Sequence, residues 1–304
     1  MMDVLREIFH YLRTLNASIV EHEIIDRSAQ VAYFLLLSVF PFLVALLGLL
    51  AQFELQDEVA LLEELVRDGL PGIMADTLVT EIENIAFAET SGRIVVGFTI
   101  GLYVTHRASH SLILGVNKAW NTREDRNFLM VRGIAIAMAI GAMLSVILLL
   151  VGLVFGDWLL GVMHNREWMS QVVVGWIRIL RWPLILFLGH LAINITFRLG
   201  ANTPLRWRWS TWGSLFATVS WVIIIEGFQL YVTRITDLGA AYGSLGAAAG
   251  LLILFYSLVS AVFVGAEIDA LNYSRRDLRH ARRLARKRLL GLGKHDEAPE
   301  IQRP

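Results

Sequence analysis

An all-α, polytopic membrane protein is the fold class this sequence predicts, on three observations. Apolar residues make up 56% of the 304 positions, and mean hydropathy is +0.57, above the usual range of a soluble globular chain. Six windows, near 29–52, 93–116, 131–155, 171–197, 210–234 and 242–270, offer the apolar run a spanning helix needs, which is roughly 20 residues for a bilayer core about 30 Å thick. Finally, the charges are sorted along the chain although their formal sum is zero.

Taken in order, the chain opens with a prefix too charged to be a cleaved signal peptide: Arg6, Glu7, Arg13, Glu21, Glu23, Asp26 and Arg27 precede the first window. Within it Val4, Leu5, Ile8, Phe9, Leu12 and Leu15 share one helical face, which predicts an amphipathic helix in the membrane interface or capping the bundle. Residues 53–91 form the long connection after the first span. Leu61, Leu62, Leu65 and Val66, then Leu78, Ile82 and Ile85, recur at helical spacing around a turn at Leu70-Pro71-Gly72, so two short outer helices are expected. Pro183 should kink the fourth span. Gly239, Gly243, Gly246 and Gly250 would let the last span pack closely within the chain or, as a second option, against another copy in a homo-oligomer.

The charge sorting sets orientation. The 53–91 connection is acidic, whereas Lys118, Arg123, Arg126 and Arg132 follow the second span and Arg198, Arg206 and Arg208 follow the fourth. The positive-inside rule places the basic connections and both termini in the cytoplasm, consistent with an even number of spans. Residues 1–272 then form a six-helix transmembrane domain and 273–304 a basic cytoplasmic tail. The tail alternates apolar residues with bases such as Arg275, Arg279 and Arg283, which predicts contact with anionic lipids, each base contributing about 1 kcal/mol. Residues 274–290 lack the aromatic side chains that would favour nucleic acid.

Ionisable groups at bilayer depth cost about 2.5–3.5 kcal/mol on insertion scales and need a partner. The stretch Thr105-His106-Arg107-Ala108-Ser109-His110 places three of them inside the second window. Thr99, Tyr103, His106, His110 and Asn117 fall on one helix face, with Arg107 about 100° away. Arg178 and Arg181 of the fourth window lie at a depth similar to Glu226 and Gln229 of the fifth, so an Arg181 or Arg178 pair with Glu226 is expected. Tyr103, His106, Arg107, His110, Arg178, Arg181, Glu226 and Gln229 are the candidate polar cavity. Protonation of its histidines near neutral pH would add to its positive charge. His190 and Asn194 extend this lining, and Glu267 and Asp269 are expected as caps near the inner end of the last span.

Several chemistries find no support. Cysteine is absent, which removes disulfides, thiolate metal sites and a cysteine nucleophile. His106 and His110 have the i,i+4 spacing of zinc ligands, but HRASH lacks the acid of an HExxH site and no third ligand is evident. No GxSxG elbow, GxxxxGK[ST] loop or two-metal carboxylate cluster occurs. No cofactor, metal or catalytic residue is therefore assigned.

The segments AYFLLLSVFPFLVALLGLL (32–50), NKAWNTREDRNF (117–128), RWPLILF (181–187), FRLGANTPLRWRWSTWGSLFAT (197–218) and AYGSLGAAAGLLILFYSLVSAVFVGAEIDA (241–270) resemble the YihY/BrkB family of bacterial inner-membrane proteins. The resemblance implies six helices and carries Asn117, Trp120, Arg126, Phe128, Tyr242, Gly243, Ser244, Gly246 and Glu267 over as signature positions. It also implies a role for which ribonuclease, virulence and transport labels have been used, the first regarded as mistaken. This chain departs from the pattern at Asp269, where an amide is usual, and at His106, where small residues are usual. The expected function is transport or flipping of a small solute or lipid-linked anion; the alternative is a non-transporting envelope scaffold.

Overall fold

A computed structural model describes residues 2–52, 63–64, 66–67, 73–86, 91–165, 171–203, 209–234 and 245–289. Among the described residues there is no strand. The helices are α1 (Met2–Glu21), α2 (Ile24–Gln52), α3 (Ile73–Ala86), α4 (Ser91–Ala119), α5 (Phe128–Asn165), α6 (Gln171–Gly200), α7 (Trp212–Arg234) and α8 (Gly246–Leu289). The all-α membrane fold is thus observed.

Among the described residues, α2, α5, α6, α7 and α8 are long and apolar enough to cross a membrane. The second predicted span lies inside α4, which has the length, at 29 residues. With Arg107 and two histidines near its middle, it is not among those five. The predicted boundary after residue 272 falls within α8, which runs unbroken to Leu289. Pro183 lies inside α6, which continues past it. The predicted turn at 70–72 lies outside the described residues; α3 corresponds to the second of the two expected outer helices.

Sequence chemistry explains how the helices stop and start. Asn121 adopts φ 50°, a left-handed conformation that Asn tolerates. There the N–H groups of Asn121 and Thr122 return to the carbonyls of Lys118 and Asn117, a Schellman closure of α4. Asn127 caps α5 by accepting from the Leu129 N–H. Thr211 accepts from the Ser214 N–H while the Ser214 hydroxyl accepts from the Thr211 N–H, a reciprocal cap for α7. Glu23, at φ 54°, turns the chain between α1 and α2.

The main core lies where α2, α4, α6, α7 and α8 meet, with Val31, Val116, Phe197, Ala217, Phe263 and Ala266 buried in it. Close contact depends on glycine. A Cβ on Gly115 would enter the Phe263 ring, and one on Gly213 would strike the Gly265 carbonyl. Gly246 and Gly250 are buried at the start of α8, which fits the expected packing of that stretch within the chain. Outside the core, α6 exposes Trp182, Leu184 and Phe187, and α7 exposes Leu215, Val219 and Ile223. Apolar helices that turn such side chains outward suit a lipid environment, because water would not tolerate so extended a patch.

On α1, Leu5, Phe9, Leu12 and Val20 point outward, while Ile19 packs against the core. The predicted apolar face is therefore divided: Leu15 is half-buried on the side of Tyr11 and Ile19, and Leu5, Phe9 and Leu12 remain for the interface.

Candidate functional site

The polar face predicted along α4 divides in two. Thr99 and Tyr103 are exposed and the Thr99 hydroxyl donates back to the Val95 carbonyl. His106 and Asn117 are buried, with His110 half-buried between them. Arg107 faces outward and its guanidinium lies 5.3 Å from the centroid of the Phe34 ring of α2, a cation–π contact.

His106 meets Arg132, one of the bases that follow the second predicted span. Arg132, in the second turn of α5, brings Nη1 to 3.2 Å from His106 Nε2. A guanidinium has donors only, so Nε2 accepts, and the ring in this arrangement is neutral with its proton on Nδ1. That Nδ1 and the Nε of Arg132 are both buried without a hydrogen-bond partner among the described residues. The Arg132 guanidinium also lies 4.9 Å from the centroid of the Phe128 ring. His110 is beside His106 at 6.4 Å between ring centroids. Because His106 Nε2 faces a cation, the two histidines do not converge as metal ligands, and no cluster of three metal-ligating side chains occurs among the described residues.

The other members of the predicted cavity are placed less centrally. Glu226 and Gln229 lie on outward positions of α7. The side chains of Arg178 and Arg181 on α6 lie outside the described residues, as does the expected pairing with Glu226. The Thr218 hydroxyl donates to the Ser214 carbonyl and accepts from His190 Nδ1 at 3.1 Å, and Asn194 donates to the Trp209 carbonyl and the Ser214 hydroxyl. His190 and Asn194 therefore tie α6 to α7.

A second polar cluster binds the helix ends together. Asn117 donates to Glu124 at 2.7 Å and accepts from the Asn202 N–H at 2.7 Å. Arg126 holds Glu124 through Nε and Nη2 and also donates to the last carbonyls of α6, 2.8 Å to Leu199 and 2.9 Å to Gly200. Those carbonyls have no partner within the helix, so a cation there satisfies and complements the helix end. Arg126, through its hydrogen bonds above all, holds the Glu124 carboxyl below the usual carboxylate range, against the opposing effect of burial.

Nearby, Trp120 meets Tyr273 edge-on at 5.6 Å, and Asp269 accepts from the Gly213 N–H at 2.8 Å. Asp269, expected as a cap near the inner end of the last span, thus caps the start of α7 from across the bundle. Glu267, 1% exposed, pairs with His22 at the α1–α2 turn. Among the signature positions, Asn117 and Arg126 form this end cluster, Trp120 meets Tyr273, Glu267 pairs with His22, Phe128 stacks on Arg132, and Gly246 is buried at the start of α8. Tyr242, Gly243 and Ser244 lie outside the described residues.

Sequence reading missed Arg132, His22, Glu124, Asn202 and Gly213. Arg132 alone left a signal, as a base just inside the boundary of a predicted span.

The ribonuclease-like protein YfkH of Bacillus subtilis (strain 168) is 27% identical over 273 residues, covering 88% of this chain and 97% of its own length. No solved structure matches significantly. The family model for virulence factor BrkB matches residues 17–288. With nearly the whole described bundle inside that match, the chain belongs to the virulence factor BrkB family of helical membrane proteins.

Proposed function

We propose that this chain is a transporter or flippase for a small anionic solute or a lipid-linked anion. The observation that carries the reading is the His106–Arg132 pair, whose remaining buried N–H groups have no acceptor among the described residues. Arg107 and the arginines of α6 add positive charge to the same set of helices, which suits a negative cargo. The basic connections and tail favour a bacterial inner membrane with both termini in the cytoplasm and the tail on anionic lipid. We read the chain as non-enzymatic: the carboxylates nearest a cluster, Glu124 and Glu267, are engaged by Arg126 and His22, which leaves the ribonuclease-like name of the relative without a counterpart among them. Reconstitution in liposomes tests the proposal. Anionic lipid flipping or solute efflux should exceed that of empty vesicles and fall on Arg132→Gln; no activity across a broad panel overturns it.

The end cluster favours a second reading, a scaffold in which polar groups fix helix register, a role such groups can have. A cross-linked envelope partner lost on removal of residues 273–304, with no transport by the intact chain, would select it.

A further inference from the structure

The geometry points to an oxyanion-binding site, for a phosphate or carboxylate group, built on the Nε–Nη2 edge of Arg132. The guanidinium uses Nη1 on His106, and Phe128 lies against the group. The edge that remains, Nε–H beside Nη2–H, is the planar fork that matches two oxygens of a carboxylate or phosphate. Among the described residues that fork makes no hydrogen bond, and its Nε is buried.

A buried donor without an acceptor is unfavourable, and Arg132 Nε is such a donor. An oxyanion on this edge supplies the acceptor that Nε lacks. The side chains beside the arginine include no free carboxylate among those described: His106 accepts from its Nη1, and His110 lies next to His106 at 6.4 Å between ring centroids. Glu124 is already held by two forked bonds from Arg126, so it is not the missing acceptor. Arg132 as a whole is half-buried, and Phe128, Leu129 and Met130 beside it at the start of α5 are exposed, which puts the fork close to the surface of the bundle, where the oxyanion of a lipid headgroup or of a free solute is to be tested.

The site is the one on which the transport reading rests, but equilibrium binding is measured without transport, so either can fail while the other stands. The full chain is purified in detergent, stripped of lipid, and its unfolding followed by tryptophan fluorescence. In one arm inorganic phosphate is titrated against chloride at matched ionic strength; in the other, dispersed phosphatidylglycerol is titrated without phosphate. A saturable rise in midpoint with phosphate alone assigns a free oxyanion, with the lipid alone a headgroup, and with both a site open to either. Arg132→Lys, which keeps the charge and removes the fork, should weaken the effect about tenfold or more. In protein labelled with 15N-arginine, the Arg132 Nε–H signal should shift on saturation, a readout that does not depend on any variant folding. No saturable rise in either arm, an equal rise in Arg132→Lys, or an unmoved Nε–H signal overturns the assignment.

Discussion

Glu267 and His22, 245 positions apart in the chain, meet inside the bundle with His22 Nδ1 2.5 Å from Glu267 Oε1. The contact joins the turn after α1 to the middle of α8, and Arg27 reinforces the turn by donating to the His22 carbonyl. It therefore fixes the N-terminal helix on the helix that carries the tail. Removing one member leaves the other buried without its partner. His22→Leu should destabilise the protein by about 3 kcal/mol, at the lower end of the range for broken buried pairs. The double replacement with Glu267→Leu should cost less than His22→Leu alone, and comparison of thermal midpoints in detergent for the two singles and the double checks this.

Glu124 gives the end cluster a pH dependence with a defined sign. Its folded-state value is lowered from the ordinary 4.5, chiefly by hydrogen bonding to Arg126. A carboxyl with a lowered folded value binds its proton more readily when unfolded. Its contribution is thus fully present above the unfolded value and is lost as pH falls through the folded one. Wild type should lose more of its thermal midpoint below about pH 4 than Glu124→Gln does, when both are scanned from neutral to acid pH.

Arg126 serves two partners, so its substitution should act beyond charge. Lysine keeps the charge but cannot hold both Glu124 oxygens while reaching the Leu199 and Gly200 carbonyls. Arg126→Lys should cost about 1–3 kcal/mol. It should also speed amide hydrogen exchange selectively in residues 196–203, and uniform exchange across the bundle would count against a capping role.

The sequence displays some of this architecture and hides the rest for a physical reason. Helices α5 to α8 follow from apolar runs, and a run is a local property. The inner part of the α4 polar face, from His106 to Asn117, is also legible, because residues on one helix turn through known angles, whereas Thr99 and Tyr103 of the same predicted face are exposed. The partner of that inner part is not legible, since nothing local distinguishes an arginine that points into the bundle from one that points to water. Arg132 and Arg107 exchange expected roles on that account: the mid-span arginine faces outward over Phe34, and the one at the span boundary enters to reach His106. The long-range pairs, His22 with Glu267 and Asp269 with Gly213, depend on chain topology and leave no spacing to read.

A close backbone approach between α7 and α8 yields a discriminating test of packing. Gly213 and Gly265 face each other such that a Cβ on either would meet the other's carbonyl, and the Asp269 carboxyl lies on the same spot to receive the Gly213 N–H. No flexible side chain can move aside, so the helices themselves must separate. Separation would also lengthen the bond from the Trp221 indole to the Leu258 carbonyl, 2.9 Å across the same pair of helices. Gly213→Ala should therefore cost about 3 kcal/mol, the upper end of ordinary overpacking penalties, and Trp221→Phe about 1 kcal/mol. Gly227→Ala, on the same helix with open space around it, should be neutral or slightly stabilising, since alanine restricts the unfolded chain. Thermal midpoints of the three variants decide the matter: if Gly213→Ala behaves like Gly227→Ala, the two helices do not cross in contact at that point.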